Sequence, residues 1–355
     1  MKINVTQLLE KILTMQASDL HVSIGSPPIV RINTALTTFT DVDPFTIEDV
    51  EYIISQLLNQ QQKDILDVNK EIDLSVALSN KARFRVNVFY QRGYPALALR
   101  FIPLRVPTIE ELHLPPVLES LCDLKQGLVL ITGPTGHGKS TTLAAMIERI
   151  NQTRAEHILT IEDPIEYVFQ NKLSLIAQRE MHLDTHSWAV ALKSVLRQDP
   201  NIVMVGEMRD YETVSAALSI AETGHLVFAS LHTNSASQTV DRIIDSFPEE
   251  QHQQVRIQFS QSLEAILSLR LIPSAAKGVV PAVEILLANS AVRSLIREGK
   301  SHQIDNVIST SGNLGMVSLE KSIAELVTAN DVDLKEAVRY SSKPDELRRY
   351  LKGHA

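Results

Sequence analysis

The feature that most constrains this chain is the segment GPTGHGKS at residues 133–140, which fits G-x-x-x-x-G-K-[ST]. Its glycines allow a loop tight enough for successive backbone N–H groups to point inward at a polyphosphate. The apolar run GLVLIT before it predicts a buried strand, and KSTTLAAMIERI after it predicts a helix, whose N-terminus favours anions. The sequence therefore predicts a strand–loop–helix site for a nucleoside triphosphate.

Residue types within and after the loop suggest roles in that site. The Lys139 ammonium can reach the β- and γ-phosphates, and the Ser140 hydroxyl can ligate Mg²⁺. ATP and Mg²⁺ are therefore the predicted cofactors. The predicted nucleotide-binding residues are Gly133, Pro134, Thr135, Gly136, His137, Gly138, Lys139, Ser140 and Thr141.

Composition limits the classes of protein and partner. The 355 residues are 44% hydrophobic and 21% charged, which is typical of a globular chain long enough for two domains. Asp and Glu number 42 against 34 Lys and Arg, so we expect no nucleic-acid partner, since such proteins carry a basic surface. No run of 18 apolar residues occurs, so we expect membrane association only through a partner. The single cysteine, Cys122, fits a core position in a cytoplasmic protein.

The first part of the chain has the pattern of a small α+β domain. Over residues 1–100, helical patterns near 5–16 and 46–66 are joined by alternating runs such as ARFRVNVFYQ, which predict an antiparallel sheet. Prolines then follow at positions 103, 107, 115 and 116. They predict a semi-rigid interdomain linker over residues 101–117.

From about residue 118 the pattern changes to apolar strands alternating with helices. The strands GLVLIT, HILTIED, NIVMVGEM and HLVFASLHT predict a parallel sheet covered on both faces. After about residue 250 the pattern is mainly helical, with 291–299 and 317–330 the clearest helices. The predicted fold class is therefore α/β, with an α+β domain before it.

Acidic residues follow two of the predicted strands. Glu207 comes after NIVMV, and Glu162, Asp163 and Glu166 come after HILTI. Because open parallel sheets bind ligands beyond the carboxyl ends of their strands, Glu207 is well placed for a metal ion. One of the other three could orient the attacking water. Each of these acids, taken alone, could equally be a solvated loop residue or a helix cap.

Histidines flank the next predicted strand, with His225 before LVFASL and His232 after it. We expect both at the end of the sheet that carries the phosphate loop. By themselves, ordinary positions at the sheet edge would explain both residues. The histidines therefore become functional candidates only through a wider pattern.

Six segments supply that pattern, in this order: ASDLH (17–21), GPTGHGKSTT, ILTIEDPIEYV (158–168), VGEMRD (205–210), AETGHLVFASLHT (221–233) and AVRSLIRE (291–298). Together they resemble the PilT family of type IV pilus retraction ATPases, within the secretion ATPase superfamily. The resemblance implies a hexameric ring whose subunits have a PAS-like N-terminal domain (1–100) and a linker (101–117). It also implies a RecA-like ATPase core (118–270) and a helical C-terminal region (271–355).

The resemblance also implies roles for single residues. It makes Glu166 the catalytic glutamate of the acidic segment and Glu207 the glutamate that follows the Walker B strand. His225 and His232 correspond to a pair of histidines that sense or position the γ-phosphate. It places N-terminal-domain arginines against the phosphates, and the matching positions are Arg83, Arg85 and Arg100. A permanently charged guanidinium suits the transition-state charge, although strand-face salt bridging is the alternative for each arginine.

Two positions depart from the family pattern. His137 stands where the phosphate loop usually has serine, and Gln198 stands where glutamate is common. We expect nucleotide binding to survive because the loop acts through its backbone. The His137 ring could still add a phosphate contact or slow turnover.

The function implied is an ATP-hydrolysing motor for pilus retraction and twitching motility, cytoplasmic and peripheral at the inner membrane. Its implied partners are further copies of itself, an inner-membrane pilus platform protein and a paralogous retraction ATPase. An accessory retraction paralogue and a pilus-assembly or type II secretion ATPase remain alternatives. The latter usually have a longer N-terminal region and a tetracysteine insert, whereas this chain has one cysteine. A nucleotide-gated scaffold with residual hydrolysis is an alternative of a different class.

The segment AVRSLIREGK predicts an amphipathic helix with Val292, Leu295 and Ile296 on one face. We expect Arg293 and Arg297 to face solvent. Spacing alone favours an ordinary packed surface helix. The resemblance instead implies that this helix couples closure of the ring to the pilus machinery without contacting ATP.

Overall fold

The computed structural model describes residues 4–15, 17–32, 35–39, 42–78, 82–102 and 105–353. Pro103 of the predicted linker lies outside these ranges. The chain divides into two compact units: Met1–Arg105 with Pro164–Val168, and Val106–Asp163 with Phe169–Ala355. Within the described residues, no helix combines the length and the apolar character needed to cross a membrane.

The first unit is an α+β arrangement. Its described elements are α1 (Val5–Thr14), β1 (Asp19–Val22), β2 (Ile29–Ile32), β3 (Ala35–Thr38), α2 (Ile47–Leu57), α3 (Gln60–Asn69), β4 (Glu71–Leu78), β5 (Ala82–Gln91) and β6 (Tyr94–Ile102). The six strands form one antiparallel sheet in the order β3-β2-β1-β6-β5-β4. The predicted antiparallel sheet is confirmed. The strand order alone does not show a PAS-like arrangement, which stays a prediction.

Side chains alternate across this first sheet. Along β5, Phe84, Val86 and Val88 are fully buried in the core, while Arg83 and Arg85 point to the opposite face. The sheet therefore has one apolar face and one polar face that carries arginines.

The helix predicted near 46–66 is two helices. Leu58 is extended between α2 and α3, and the Asn59 side chain accepts the Gln62 backbone N–H while the Gln62 side chain accepts the N–H of Asn59. This capping box begins a new helix in a region where the apolar periodicity predicts a single one.

The second unit contains the α/β core. Its described helices and strands are α4 (Val117–Cys122), β7 (Gly127–Thr132), α5 (Lys139–Thr153), β8 (His157–Glu162), β9 (Leu175–Glu180), α6 (Trp188–Val195), β10 (Ile202–Val205), α7 (Tyr211–Glu222), β11 (Leu226–Leu231), α8 (Ala236–Asp245), α9 (His252–Ser262), β12 (Leu263–Ser274), β13 (Gly278–Leu287), α10 (Ser290–Arg297), α11 (Ile304–Thr310), α12 (Leu319–Thr328), α13 (Leu334–Tyr340) and α14 (Pro344–Gly353).

Seven strands form the sheet of this unit, in the order β13-β12-β7-β11-β10-β8-β9. Every neighbouring pair is parallel except β12 with β13. All residues of β7, β10 and β11 are buried, so both faces are covered at the centre of the sheet, as predicted. We call the edge where the parallel strands end the carboxyl edge, and the edge where they begin the amino edge.

The sequence analysis missed the hairpin of β12 and β13, which lies in the region predicted to be mainly helical. Its runs LEAILSLRLIPS and GVVPAVEILL are buried on both faces over most of their length and exposed only beside the turn, where Gly278 has φ +74°. A strand buried on both faces shows no alternation, so periodicity cannot distinguish it from a buried helix. Helices α10 and α12 agree with the predicted 291–299 and 317–330. Cys122 is 1% exposed, and burial raises its pKa to about 12, which confirms a core role.

Candidate nucleotide site at the carboxyl edge

The phosphate loop connects β7 to α5 and depends on its glycines. Gly133 has φ +140°, and a Cβ there would lie 2.4 Å from the backbone oxygen of Leu269 on β12. Gly136 and Gly138 also have positive φ values, +80° and +86°. Because L side chains rarely adopt such angles, these positions favour glycine. Helix α5 begins directly after Gly138, so its first-turn N–H groups, including those of Ser140 and Thr141, adjoin the loop.

The Lys139 side chain is only 7% exposed and turns back over the loop. Its Nζ donates to the carbonyl oxygens of Gly133 at 2.8 Å and Pro134 at 3.0 Å. The same nitrogen lies 3.3 Å from Nδ1 of His232. The lysine ammonium is thus held over the loop by two backbone carbonyl oxygens and the His232 ring.

His232 connects the loop to Glu207. Its Nδ1 lies 3.2 Å from the Thr135 hydroxyl, and its Nε2 lies 3.1 Å from Oε1 of Glu207. Arg209 contacts both oxygens of the same carboxylate, with Nε 2.7 Å from Oε1 and Nη2 2.8 Å from Oε2. Lys139, His232, Glu207 and Arg209 therefore form one polar network at the carboxyl edge. Sequence reasoning gave Arg209 no role, although it follows Glu207 by two positions.

The Glu207 carboxylate is held in its ionised form. Burial acts to raise its pKa, but hydrogen bonds and charges from Arg209 and His232 outweigh burial and bring the pKa below its ordinary value. An ionised carboxylate and the exposed Ser140 hydroxyl are hard oxygen donors of the type that Mg²⁺ prefers. Among the described residues, no group of three or more His, Cys, Asp or Glu side chains forms a metal cage. A magnesium ion held largely by phosphates and water does not need such a cage.

The three acids of the segment after β8 differ in their surroundings. Glu162 is 8% exposed, and its Oε1 accepts hydrogen bonds from Thr160 at 2.7 Å and Gln178 at 3.0 Å, so it is fixed within the sheet. Asp163 is exposed, and Glu166 is half-buried. Glu166 lies in Pro164–Val168, which belongs to the first unit. Its catalytic role therefore stays a prediction.

The two histidines lie at opposite edges of the sheet. His232 follows β11 at the carboxyl edge, but His225 precedes β11 at the amino edge, where its Nδ1 lies 3.0 Å from the Thr223 hydroxyl and 3.2 Å from the Ile220 carbonyl oxygen. A six-residue strand separates them, about 20 Å at 3.3 Å per residue. The expectation that both lie beside the phosphate loop is wrong for His225 within this chain.

The three candidate arginines share the polar face of the first sheet. Arg85 and Arg100 are direct partners across β5 and β6, and Arg83 lies two residues before Arg85 on the same face. Each has a partner on its own sheet: Arg83 with Ser75, Arg85 with Asp73 at 3.8 Å, and Arg100 with Asp19 at 2.8 Å. The Arg100 side chain is nevertheless 70% exposed. Local pairing is therefore present, and a role at the phosphates stays a prediction.

Arg293 does not face solvent as expected. Its side chain is 24% exposed and donates to four backbone or carboxylate oxygens: Ala288 O at 3.0 Å, Ser260 O at 2.7 Å, Gln261 O at 2.8 Å and Glu264 Oε1 at 2.9 Å. Two of these carbonyls lie in the last turn of α9, where they have no intrahelical donor. The expectation failed because a long guanidinium side chain can fold back over its helix to reach such groups. Arg297 is exposed, as expected.

Comparisons with known proteins agree over nearly the whole chain. The family model described as type II/IV secretion system protein matches residues 1–345. The type IV pilus retraction ATPase PilT of Pseudomonas aeruginosa is 43% identical over 344 residues, covering 97% of this chain and 100% of that protein. The type IV pilus ATPase PilU of the same organism is 38% identical, covering 98% of this chain and 91% of that protein.

The fold agrees with a solved structure of the same kind. A crystal structure of the pilus retraction motor PilT with bound ADP matches with a TM-score of 0.91 and 44% identity. The match covers 98% of this chain and 99% of that one. The comparison thus extends over both units.

Proposed function

Since the chain belongs to the PilT family of type II/IV secretion system proteins, we propose that it is an ATP-hydrolysing motor that powers retraction of type IV pili and twitching motility. The observation that carries this proposal is the network at the carboxyl edge. There the lysine of the phosphate loop, a histidine and an ionised glutamate are hydrogen-bonded within one chain. Phosphoryl transfer by enzymes with such a loop uses the lysine to bind the phosphates and an acid to hold Mg²⁺.

The residues of this chain divide the work. Backbone N–H groups of the loop and the Lys139 ammonium bind the phosphates, and Ser140 with Glu207 would hold Mg²⁺. When bound, Mg²⁺ neutralises charge that develops between the β- and γ-phosphates. His232 contacts both Thr135 and Glu207, which supports a role for it in sensing the terminal phosphate. Glu166 orients the attacking water, and the arginines of the first unit supply positive charge.

Assembly and location follow from the same family. We propose a homohexameric ring that acts on an inner-membrane pilus platform protein from the cytoplasmic side. A paralogous retraction ATPase is a second proposed partner, because PilU matches this chain at similar coverage. Contact with the membrane is proposed to occur only through these partners.

An accessory retraction paralogue is the nearest alternative function, and it is supported by the same PilU match. The segments VGEMRD and AVRSLIRE favour the principal enzyme. The two functions differ in phenotype. We expect loss of a principal retraction ATPase to leave cells with surface pili that do not retract, and loss of an accessory one to leave substantial retraction.

The proposed function is tested with purified protein and a deletion strain. Glu166→Gln keeps the side-chain shape but removes the base, so we expect it to bind ATP and to hydrolyse it far more slowly. Lys139→Ala should weaken ATP binding itself. Glu48→Gln is the matched control, because it makes the same change at an exposed glutamate of α2, which has no proposed role in the site. Wild-type hydrolysis by Glu166→Gln would disprove that assignment, and a deletion strain without surface pili would indicate an assembly ATPase.

A further inference from the structure

Strand β12 extends beyond its parallel neighbour at the carboxyl edge. The pairing of β7 with β12 ends at Thr132 and Ser268, whereas β12 continues to Ser274 and pairs with β13 along that extension. The phosphate loop lies against the other side of the extension. Gly133 approaches the Leu269 carbonyl so closely that a Cβ would lie 2.4 Å from its oxygen.

His137 makes the hydrogen bond between the loop and this extension. The backbone N–H of Leu271 donates to Nδ1 of His137 at 2.9 Å. In this position the imidazole accepts the hydrogen bond that a neighbouring strand would otherwise accept. Since a backbone N–H is always a donor, Nδ1 must be unprotonated, and the neutral ring then carries its proton on Nε2.

We propose that His137 is a positioning residue, which fixes the phosphate loop against β12 by accepting the Leu271 N–H, so that nucleotide affinity falls when its ring is protonated. The inference rests on nucleotide binding by this loop. Protonation converts Nδ1 from an acceptor into a donor, and two donors then face each other across 2.9 Å. The loop would lose its attachment to β12 while its glycines still allow many backbone conformations.

The charges around the ring favour the neutral, accepting form. Burial is the largest influence that lowers the pKa of His137 from 6.5, and the cationic Arg270 of β12 and Lys139 of α5 lower it further. Both charged neighbours are thus cations, contributed by the two elements packed against the ring. At neutral pH the hydrogen bond to Leu271 is therefore intact.

Serine, the family's usual residue at this position, would not give the same behaviour. Its hydroxyl oxygen is bonded directly to Cβ, whereas Nδ1 is one atom further out. A serine hydroxyl also has no protonation change near neutral pH. Only the imidazole both reaches β12 in this geometry and loses its acceptor on acidification.

The test measures equilibrium binding of a fluorescent ATP analogue with Mg²⁺ to the full chain over about pH 5–8, where histidine titrates. Wild-type affinity should fall on acidification by about threefold to tenfold, the effect of one lost hydrogen bond. His137→Asn should bind nearly as well at neutral pH with a flatter profile, because its amide oxygen is as many bonds from Cβ as Nδ1 and does not titrate. His137→Ala should bind more weakly throughout.

Two further measurements separate positioning from simple folding. Thermal unfolding without nucleotide, at each pH, should show that all variants are folded. In steady-state hydrolysis, the difference in pH dependence between wild type and His137→Asn should appear in KM for ATP and not in kcat. Any contribution of His232 is present in both wild type and His137→Asn, so it cancels in the comparison.

The outcomes decide between distinct ideas. Equal pH profiles for wild type and His137→Asn would overturn the inference. Affinity that rises on acidification would also overturn it, since that sign indicates direct contact of the imidazolium with phosphate. Either result with normal binding at neutral pH leaves the proposed function intact. A wild-type protein that binds no nucleotide at neutral pH would remove the proposed function and this inference together.

Discussion

The two edges of the seven-stranded sheet carry polar residues that are bonded in different ways. At the carboxyl edge, His232 contacts the side chains of Thr135, Lys139 and Glu207. At the amino edge, His225 contacts a backbone carbonyl at the end of α7 and the neighbouring Thr223 hydroxyl, and Arg293 contacts three backbone carbonyls as well as Glu264.

This difference separates two kinds of role. Bonds between side chains can be exchanged for bonds to a ligand while the backbone stays in place. Bonds from a side chain to backbone carbonyls instead satisfy the ends of helices and hold segments together. We therefore expect substitutions at the carboxyl edge to reduce binding and turnover, and substitutions at the amino edge to reduce stability.

The largest effect is expected on the polar face of the first sheet, to which the same rule applies. Arg83, Arg85 and Arg100 are bonded to side chains, so they can exchange partners for phosphate. Replacing the critical arginine by alanine should lower kcat by about 10³-fold, with a smaller loss of nucleotide binding.

Arg31 provides the matched control for these variants. It is an arginine of the same sheet, and its Nε lies 3.5 Å from the Asp19 carboxylate that also pairs with Arg100, so Arg31→Ala changes this shared ion pair while all three candidate arginines stay in place. It should keep near-normal turnover. If all three single alanine variants hydrolyse ATP normally, the arginines have only a pairing role on their sheet.

A comparison of the two histidines tests the difference between the edges directly. His232→Ala should lower kcat/KM by about 10²-fold, the usual loss for one electrostatic group at a reacting centre. His225→Ala should leave nucleotide affinity within about twofold, because the ring lies about 20 Å away along β11. Binding titration and steady-state kinetics on both variants measure this. Equal losses of turnover would contradict the proposed difference between the two edges.

The arginines of α10 should differ in stability. Arg293→Ala leaves carbonyls of α9 and the Glu264 carboxylate without their donor, so the free energy of unfolding should fall by about 3 kcal/mol. Arg297→Ala, at an exposed position, should change it by less than about 0.5 kcal/mol. Urea unfolding of both variants provides the measurement.

Arg297 is therefore the suitable residue for testing whether α10 couples to the pilus machinery. An Arg297→Ala protein should hydrolyse ATP near normally and fail to restore twitching in a deletion strain. Normal twitching would leave the exposed face of α10 without a coupling role. Loss of twitching by Arg293→Ala alone would reflect stability and would not bear on coupling.

Glu284 gives a smaller effect than Arg293 and sharpens the rule. Its carboxylate accepts the backbone N–H of Ala236, the first residue of α8, at 2.7 Å. Burial first, and then the nearby charges of Asp305 and Glu320, raise its pKa to about 7. Between its ordinary pKa of 4.5 and about 7, the folded state retains a proton that the unfolded state loses, so stability falls as pH rises through that window.

The expected loss of unfolding free energy between pH 5 and 8 is on the order of 2 kcal/mol. Glu284→Gln should remove most of this dependence while nucleotide affinity stays unchanged, although the residue lies near the carboxyl edge. Urea unfolding of wild type and Glu284→Gln, at the lower and the higher of these pH values, measures the dependence. An unchanged pH dependence in the variant would assign the effect to other groups.

The sequence predicted those parts of the site that depend on local backbone and motif. The glycines of the loop, Lys139 and the strand–helix alternation are recognisable because each reflects a local constraint. The position of His225 could not be predicted, because membership of the same sequence motif does not say which end of the strand a residue occupies. The side of α10 that Arg293 contacts was also not predictable, since helical spacing gives the direction of Cβ and not the path of a long side chain.

Longer-range contacts also escaped sequence reasoning. The extension of β12 beneath the loop needs knowledge of the hairpin, whose apolar runs resemble a buried helix. The bond between His137 and Leu271 joins residues 134 positions apart. No local pattern contains such a pairing.

The first unit is discontinuous in sequence, because Pro164–Val168 belongs to it while lying between two parts of the second. No single cut can therefore divide the protein into its units. Cleavage after Arg105 would leave Ile165 and Tyr167, which are 7% and 9% exposed, on the fragment that lacks the rest of the first unit. A truncated protein without residues 1–105 would also lose the surroundings of Glu166. Truncation would thus remove the arginines and disturb Glu166 at the same time. Only point substitutions can separate their contributions to hydrolysis.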